Sequence, residues 1–555
     1  MGAPKTTGET ATNGQAAPED RWIPSACTIC YGGCSILAHR VNGTIVKIEG
    51  NPASPIGRGH ICAKGLSGIM LLYDPNRVNT PLRRTNPKKG IGVDPGWTPI
   101  SWEEALEEIT VRMEKIRAED PRQLMIQVTT TLAPSSLLFF TFGWAFGTPN
   151  MWVAGGGIHC GNGAHAVGGI MHGSWSLVPD FEHCNYALYF GASKGHGAGH
   201  ASTPNMELAA DARARGMRMV VVDPMCNFAA AKASEWVPIR VGTDEALAMA
   251  MVNVLLNELG IYDAEYLRTK TNGAYLVRPD GHHAREAASG KPLVWDVAAG
   301  SAKPYDDTSV GEAALLGEYQ VDGEICRPAF ALLKEHARQF TPEWQEALTT
   351  VPAAQARRLA REFGEAARVG STIVLDGVRL PYRPAAAIYF RGAQGHKNSS
   401  HICFAVDLLN QIVGAADVVG GALGFNPVCH GHPDTGRPHY VPRAEKDGLM
   451  TPGTWMLPHL PYPPAEPRHP DSMGFIELFP LSHVSPLMAS ADQEQWWERF
   501  NLPYRPKMMI NYGANSLMSV GNKETVAETL GKFEFIVSFD LFLNEFSDFA
   551  DIILP

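Results

Sequence analysis

Tyr186-Ala-Leu-Tyr-Phe190 runs into Gly191-Ala-Ser-Lys-Gly-His-Gly-Ala-Gly-His200, and Met217-Arg-Met-Val-Val-Val222 runs into Asp223-Pro224. Each apolar run is strand-length and ends on turn residues. The segment near 204–215 between them has helical spacing, so the three predict one strand–helix–strand unit. Glycines after the first strand let backbone amides approach a ligand at the strand ends, where parallel sheets open their crevices. The loop is not G-x-G-x-x-G, so a plain NAD site is unsupported.

Outward from this unit the texture stays α/β. A helix is predicted over Glu245–Leu259, a strand from Ser371–Leu375 and a helix over Asn398–Val413. Met508–Asn515, a helix near 523–531 and Phe535–Asp540 predict a second unit of the same kind. Ser101-Trp-Glu-Glu104 is a capping box opening a helix with Leu106, Ile109, Met113 and Ile116 on one face. The polar, Gly-rich stretch 270–325 reads as an insertion, and 426–470, crowded with Pro and His, as a long surface or funnel loop.

The chain has 555 residues, too many for one core. Its net charge of −10 argues against nucleic-acid binding, which needs a basic footprint. Residues 1–20 are small and polar and read as a disordered lead-in without an apolar export core or twin arginine. Leu137–Gly147, the most apolar stretch, is too short to span a bilayer. The expected location is cytoplasmic, with any membrane contact made through a partner.

Four of the ten cysteines are clustered: Cys27-Thr-Ile-Cys30-Tyr-Gly-Gly-Cys34 and Cys62, a C-x2-C-x3-C-x27-C pattern. A tight loop with Gly32 and Gly33 can bring three thiolates to one cubane, and a remote cysteine the fourth. A structural zinc site usually shows two C-x2-C knuckles, and only one is present. The spacing favours iron–sulfur; zinc stays open.

Cys62 is followed by Ala63-Lys64-Gly65, and here the chain resembles the molybdopterin oxidoreductases of the dimethyl-sulfoxide-reductase type, which include formate dehydrogenases, nitrate reductases and polysulfide reductases. The resemblance implies a [4Fe–4S] cluster on Cys27, Cys30, Cys34 and Cys62, with Lys64 assisting electron transfer to a pterin. Without it, Lys64 is an ordinary solvated lysine. Tyr189-Phe-Gly-Ala-Ser193 is similar to the family loop that meets one guanylylated pterin, through Gly191 and Ser193. Trp236-Val-Pro-Ile-Arg240-Val-Gly242-Thr243-Asp244 resembles the signature usually written Arg-Pro-Gly-Thr-Asp, with Val241 replacing the proline. The resemblance implies Gly242, Thr243 and Asp244 at a guanine and Asp223 near its ribose. A carboxylate suits the paired donors of a guanine edge, although Asp223-Pro224 alone reads as a turn and Gly242-Thr-Asp244 as a helix cap. Asn511-Tyr-Gly-Ala-Asn515, Ser538-Phe-Asp540 and Ala550-Asp-Ile-Ile-Leu-Pro555 resemble the loops for a second pterin, implying Gly513, Asn515 and Asp540.

The family's protein ligand to Mo or W follows a Gly-Thr-Pro-Asn-like stretch. Here Gly147-Thr-Pro-Asn150 precedes Gly155-Gly-Gly-Ile-His159-Cys160-Gly-Asn-Gly-Ala-His165, which implies Cys160. A soft thiolate suits that metal; the other reading is a small buried cysteine. His159, His165 and His172 suit proton transfer near neutral pH, or are hydrogen-bonded structural histidines. Formate dehydrogenases carry His directly after the ligand; Gly161 stands there, which weakens a formate assignment. Arg391-Gly-Ala-Gln394-Gly-His396-Lys397 either touches pterin or substrate or only caps a helix. Cys429, His430 and His432 fit no strong metal template, and Cys184, Cys226, Cys326 and Cys403 look structural.

The expected fold is α/β. A lead-in (1–20) and a small β-rich [4Fe–4S] domain (21–85) precede two Rossmann-like pterin-binding domains (86–370, with the metal loop 147–175, and 371–555). The family's pterin-closing final domain is not seen. The resemblance implies the catalytic subunit of an oxidoreductase with bis-molybdopterin guanine dinucleotide, Mo or W, and an iron–sulfur electron-transfer partner; a membrane-anchor subunit is compatible. The His/Gly-rich metal loop is similar to those of enzymes acting on organic substrates, such as phenylacetyl-CoA:acceptor oxidoreductases. Thiosulfate, polysulfide or arsenate reduction and a hydratase-like reaction stay open. The rival from another class is an electron-wiring iron–sulfur subunit of the same fold that lacks the pterin.

Overall fold

A computed structural model of the chain describes residues 19–129, 138–153, 162–196, 205–395, 398–427 and 504–555, apart from positions 31, 56, 140, 141, 144, 149 and 521. The N-terminal part is an antiparallel meander of β1 (Asp20–Ala26), β2 (Ser35–Val41) and β3 (Thr44–Gly50). Asn42 and Gly43, at φ 47° and 83°, make the two-residue turn between β2 and β3 whose twist matches the strands. Strand β1 is exposed along most of its length, which is why no apolar alternation announces it. Two short helices follow, α1 (Ala63–Leu66) and α2 (Gly68–Leu72).

The first α/β unit is a parallel sheet in the order β11 (Glu235–Val237), β10 (Arg218–Val222), β9 (Tyr186–Phe190), β19 (Ala385–Tyr389). Strands β9 and β19 are buried throughout, as parallel strands covered on both faces must be. Helices α4 (Asn162–His172), α5 (Met206–Ala214), α6 (Asp244–Asn253), α7 (Ala264–Thr269), α8 (Ala329–Ala337), α9 (Pro342–Thr349), α10 (Ala353–Ala366) and α11 (Ser399–Ile412) surround it. Beside it β8 (Ser174–Pro179) pairs with β20 (Ala422–Pro427), and β17 (Thr372–Leu375) with β18 (Val378–Pro381). The 270–325 stretch contributes to two small antiparallel sheets: β12 (Leu276–Val277), β16 (Glu324–Pro328) and β15 (Tyr319–Val321), and β13 (Leu293–Asp296) with β14 (Ser301–Pro304).

The second unit is a seven-stranded sheet in the order β5 (Thr98–Pro99), β4 (Leu82–Arg83), β23 (Ile552–Leu554), β22 (Phe535–Phe539), β21 (Met508–Tyr512), β6 (Leu124–Val128), β7 (Met151–Val153). The five strands from β23 to β7 run parallel. Helix α3 (Trp102–Glu119) covers one face, and α12 (Ser516–Ser519) and α13 (Lys523–Gly531) the other.

Two expectations are corrected. The 370/371 boundary does not separate the sheets: β19 and α11 lie beyond it in the first unit, while β6 and β7 lie before it in the second. Crossover connections make neighbours of strands far apart in sequence, which a pass along the chain does not detect. In α3 the capping box forms, yet Leu106 is 51% exposed and Ala105, Ile109 and Ile116 are buried. The stripe is rotated because small Ala105 faces the sheet. The lead-in up to residue 18 and the Pro/His-rich loop from 428 lie outside the described residues. Among the described residues no helix is long and apolar enough to cross a membrane.

Candidate cofactor sites

The four clustered cysteines come together beside the meander. Cys27 N donates to Cys34 O at 2.8 Å, closing the β1–β2 loop, and Gly32 N donates to Cys30 Sγ at 3.3 Å. Cys62 is the N-cap of α1. A Cβ on Gly65 would lie 3.4 Å from Cys27 Sγ, so α1 packs against the first ligand of the loop. Burial and the neighbouring Cys27, Cys30 and Cys62 push the Cys34 thiol up to about 11. Cysteines near enough for their thiolates to repel suit a cluster whose iron offsets that charge, although among the described residues no three ligand side chains stand together at metal-holding distance. Lys64 stands exposed on α1, two residues past Cys62.

In the first unit the strand-end loops interlock. Gly191 N donates to Val222 O at 3.0 Å, tying the loop after β9 to the end of β10, and Gly392 N donates to Gly191 O at 2.8 Å. Ser193 lies on this loop and accepts from His196 N through its carbonyl at 2.9 Å. At the end of β10 the Asp223 carboxylate accepts from Met225 N and Asn227 Nδ2, each at 2.9 Å. Gly242 turns at φ 76°, and Thr243 Oγ1 donates to Arg240 O at 2.7 Å instead of capping α6.

Asp244, first residue of α6, is only 5% exposed, and burial together with the nearby Asp223 charge pushes its carboxyl up to about 6. Among the described residues no donor beyond its own amide reaches it. A buried, uncompensated carboxylate is costly unless a ligand brings donors, and the two N–H groups of a guanine edge would supply them. The structure thus brings Gly191, Ser193, Asp223, Gly242, Thr243 and Asp244 to one end of the first sheet.

Two further residues were missed by the sequence reading. Lys194 is fully buried with its ammonium 3.8 Å from the Phe390 ring centroid. Burial and the Arg213 and Lys232 charges push His196 down to about 4, and Arg213 donates to its Nδ1 at 3.2 Å. His196 is therefore a neutral imidazole with its proton on Nε2, which has no partner among the described residues. A Lys and a His inside a Gly-rich strand-end loop were the available signal.

At the end of the second sheet Gly513 N donates to Phe539 O at 2.8 Å and Asp540 N to Leu554 O at 3.1 Å. Asn515 Nδ2 donates to Glu545 Oε2 at 2.7 Å, and Asp540 Oδ2 accepts from Asn544 Nδ2 at 2.8 Å. Behind them Gln127, Asn511 and Ser538 stand level on β6, β21 and β22. Gln127 Nε2 donates to Asn511 Oδ1 at 2.8 Å; Asn511 Nδ2 donates to Ser538 Oγ at 2.8 Å and to Ala514 O at 2.9 Å. All three side chains are buried, and the ladder shapes the loop carrying Gly513 and Asn515.

His159 and Cys160 lie outside the described residues. His165 is buried on α4, edge-on to Phe390 with centroids 6.1 Å apart. His172 departs from the expected near-neutral imidazole. Burial opposes its charge, but Asp407 at 2.9 Å and Asp417 at 2.8 Å outweigh it and raise the group to about 10. It is an ion-pair anchor between α4 and α11. Gln394 caps a helix, though not the one after it: its Oε1 accepts from Ala164 N of α4 at 2.7 Å. Cys184, Cys326 and Cys403 are buried, whereas Cys226 is exposed.

Comparison with known proteins agrees with this geometry. The family model for the molybdopterin oxidoreductase Fe4S4 domain matches residues 20–74, and that for molybdopterin oxidoreductase matches residues 77–555. A sulfite dehydrogenase chain of Allochromatium vinosum is 30% identical over 96% of this chain and 58% of its own length. The thiosulfate reductase molybdopterin-containing subunit of Salmonella typhimurium is 34% identical over 45% of this chain and 31% of its own. Among solved structures, acetylene hydratase from Pelobacter acetylenicus shares the fold with a TM-score of 0.63 at 21% identity, over 96% of this chain and 62% of that one. The chain thus spans less than two thirds of the length of each of these relatives. It belongs to the molybdopterin oxidoreductase family, with that family's Fe4S4 domain at residues 20–74 and a molybdopterin carrying Mo or W as its cofactor.

Proposed function

We propose that this chain is the catalytic core of a two-electron oxidoreductase that holds one guanylylated pterin at the end of each large sheet. Electrons would pass through the cluster on Cys27, Cys30, Cys34 and Cys62, beside Lys64, to an iron–sulfur partner subunit. The observation that carries the reading is the buried, uncompensated Asp244 carboxylate, which needs a donor pair such as a guanine edge. When bound, the metal supplies two-electron redox chemistry. The chain's own residues do the rest in this reading. Gly191 and Gly242 admit backbone close to the first pterin, with Ser193, Asp223 and Thr243 beside it, and Gly513, Asn515 and Asp540 line the second crevice. Cys160 would be the metal ligand, and His159 and His165 the imidazoles that move protons.

The substrate class we favour is a small sulfur oxyanion, changed in a two-electron step: oxygen-atom transfer for sulfite, S–S cleavage to sulfide and sulfite for thiosulfate. Two relatives, one aligned over 96% of this chain, are named for sulfite and thiosulfate.

Elemental and nucleotide analysis of anaerobically purified complex tests the cofactor reading. About four Fe, one Mo or W and two GMP released per chain are expected. Iron without Mo, W or GMP would sink it in favour of an electron-wiring subunit. Dye-linked assays with sulfite and thiosulfate test the substrate class; turnover of only an organic or acyl-CoA substrate would overturn it.

A further inference from the structure

The two loops that carry Asp223 and Asp244 also hold exposed apolar side chains. Met225 and Phe228, after β10, are 70% and 83% exposed, and Val241, after β11, is 76% exposed. Apolar side chains left in water around a few polar groups mark a ligand site.

Trp236 belongs to the same strand end and, unlike these three, is tethered by its side chain. It lies on β11, the edge strand of the first sheet, level with Val221 of β10. Its Nε1–H donates to Asp223 O at 2.8 Å, so the ring reaches past the end of β10 and is held there. An indole has one N–H and no acceptor, so this bond occupies its polar edge and leaves its faces apolar. Trp236 is 38% exposed, and part of that apolar surface stays open.

The polar groups beside the indole are those of a nucleoside site. The Asp223 carboxylate accepts from Met225 N and Asn227 Nδ2, and its charge acts on the buried Asp244. Trp236 touches Asp223 and Asp223 acts on Asp244, so the three stand together. A guanine whose edge binds a carboxylate still presents two flat faces, and an aromatic ring suits one of them.

We propose that Trp236 is a cofactor-binding residue: its indole face stacks on the guanine whose edge Asp244 accepts. The proposal rests on the reading of Asp244 as the guanine acceptor. Stacking is tolerant of the base, so Asp244 selects guanine and Trp236 supplies affinity.

The test uses the holoenzyme with its natural partners and follows the GMP content that survives prolonged dialysis. Trp236→Phe keeps an aromatic face and loses the N–H; Trp236→Leu loses both. Trp236→Leu should shed one GMP per chain faster than wild type by on the order of tenfold or more, the worth of one base stack. Trp236→Phe should track wild type. Emission of the holoenzyme is the second readout: a base lying on the indole quenches it, so wild type and Trp236→Phe should emit equally. Wild-type retention in Trp236→Leu would overturn the proposal. Equal losses in the Leu and Phe variants would overturn it too, leaving the bond to Asp223 O as the whole role of the residue. So would a wild type brighter than Trp236→Phe by the share of a solvent-exposed indole. If Trp236→Leu does not fold, Trp236→Met is judged by the same loss. Asp244→Asn separates the underlying reading. If it keeps both nucleotides, the guanine reading fails; if it sheds one while Trp236→Leu holds both as wild type does, the stacking alone fails.

Discussion

Gly191 and Gly392 meet backbone to backbone where the loops after β9 and β19 cross: a Cβ on Gly191 would fall 2.2 Å from Ala393 N, and one on Gly392 would fall 2.7 Å from Gly191 Cα. Gly191 also sits at φ 51°, where a side chain is strained whatever the space. Gly191→Ala should therefore destabilise the protein by on the order of 2–4 kcal/mol, strain and overpacking together. Gly43→Ala, at φ 83° with open space around it, is the control and should lose only about 1 kcal/mol. Denaturant melts of the two variants measure the difference; equal losses would show that the crossing is not tight.

Asp244 sets cofactor binding against stability. With its carboxyl raised to about 6, the native state of cofactor-free protein holds more protons than the unfolded chain between about pH 4 and 6. Stability should fall as pH rises through that window, and the ionised group costs up to about 3 kcal/mol at neutral pH. Asp244→Asn should remove this slope, melt higher than wild type at pH 7 when cofactor-free, and release one GMP per chain instead of two. A variant that melts lower and keeps both nucleotides contradicts the assignment.

His172 gives the opposite slope. Its folded value near 10 lies above that of an unfolded histidine, so its stabilisation is complete below about pH 6.5 and is lost as pH rises towards 10. His172→Gln should lower stability by about 3–5 kcal/mol at pH 6, the range for breaking a buried pair. The gap should narrow steadily by pH 10. Asp407, fully buried, should matter more than Asp417, whose side chain is 46% exposed. Melting curves of the three single variants across pH check both statements.

The Gln127–Asn511–Ser538 ladder should behave as a unit. Asn511→Leu orphans Gln127 Nε2 and Ala514 O in the core, at about 1–3 kcal/mol for each lost partner. Adding Gln127→Leu should recover part of that loss, because it removes the orphaned Gln127 amide and leaves only the former Asn511 acceptors, Ala514 O and Ser538 Oγ, to be satisfied. A double variant as unstable as the sum of the singles would argue against coupling. GMP counts on the same proteins show whether the Gly513–Asn515 loop needs the ladder.

Much of the local structure was legible. Strands β9, β10, β21 and β22 are short apolar runs ending in turn residues, and periodicity suffices to find them. The strand ends are legible, whereas naming Gly191, Asp223, Asp244, Gly513 and Asp540 as pterin contacts takes the resemblance to the family's loops. Strand β1 stayed hidden because solvent faces most of it, and Leu106 was misplaced because one alanine turned the helix.

The sequence by itself thus determined the elements, the four-cysteine loop and the strand-end residues, since each depends on neighbours within a few positions. Only the tertiary structure decided which strands share a sheet, that His172 is a charged anchor, and that Gln394 caps a helix 230 residues upstream. Those depend on burial and on contacts closed by crossover connections. A side chain's charge and partners are set by what the rest of the chain brings within hydrogen-bond reach.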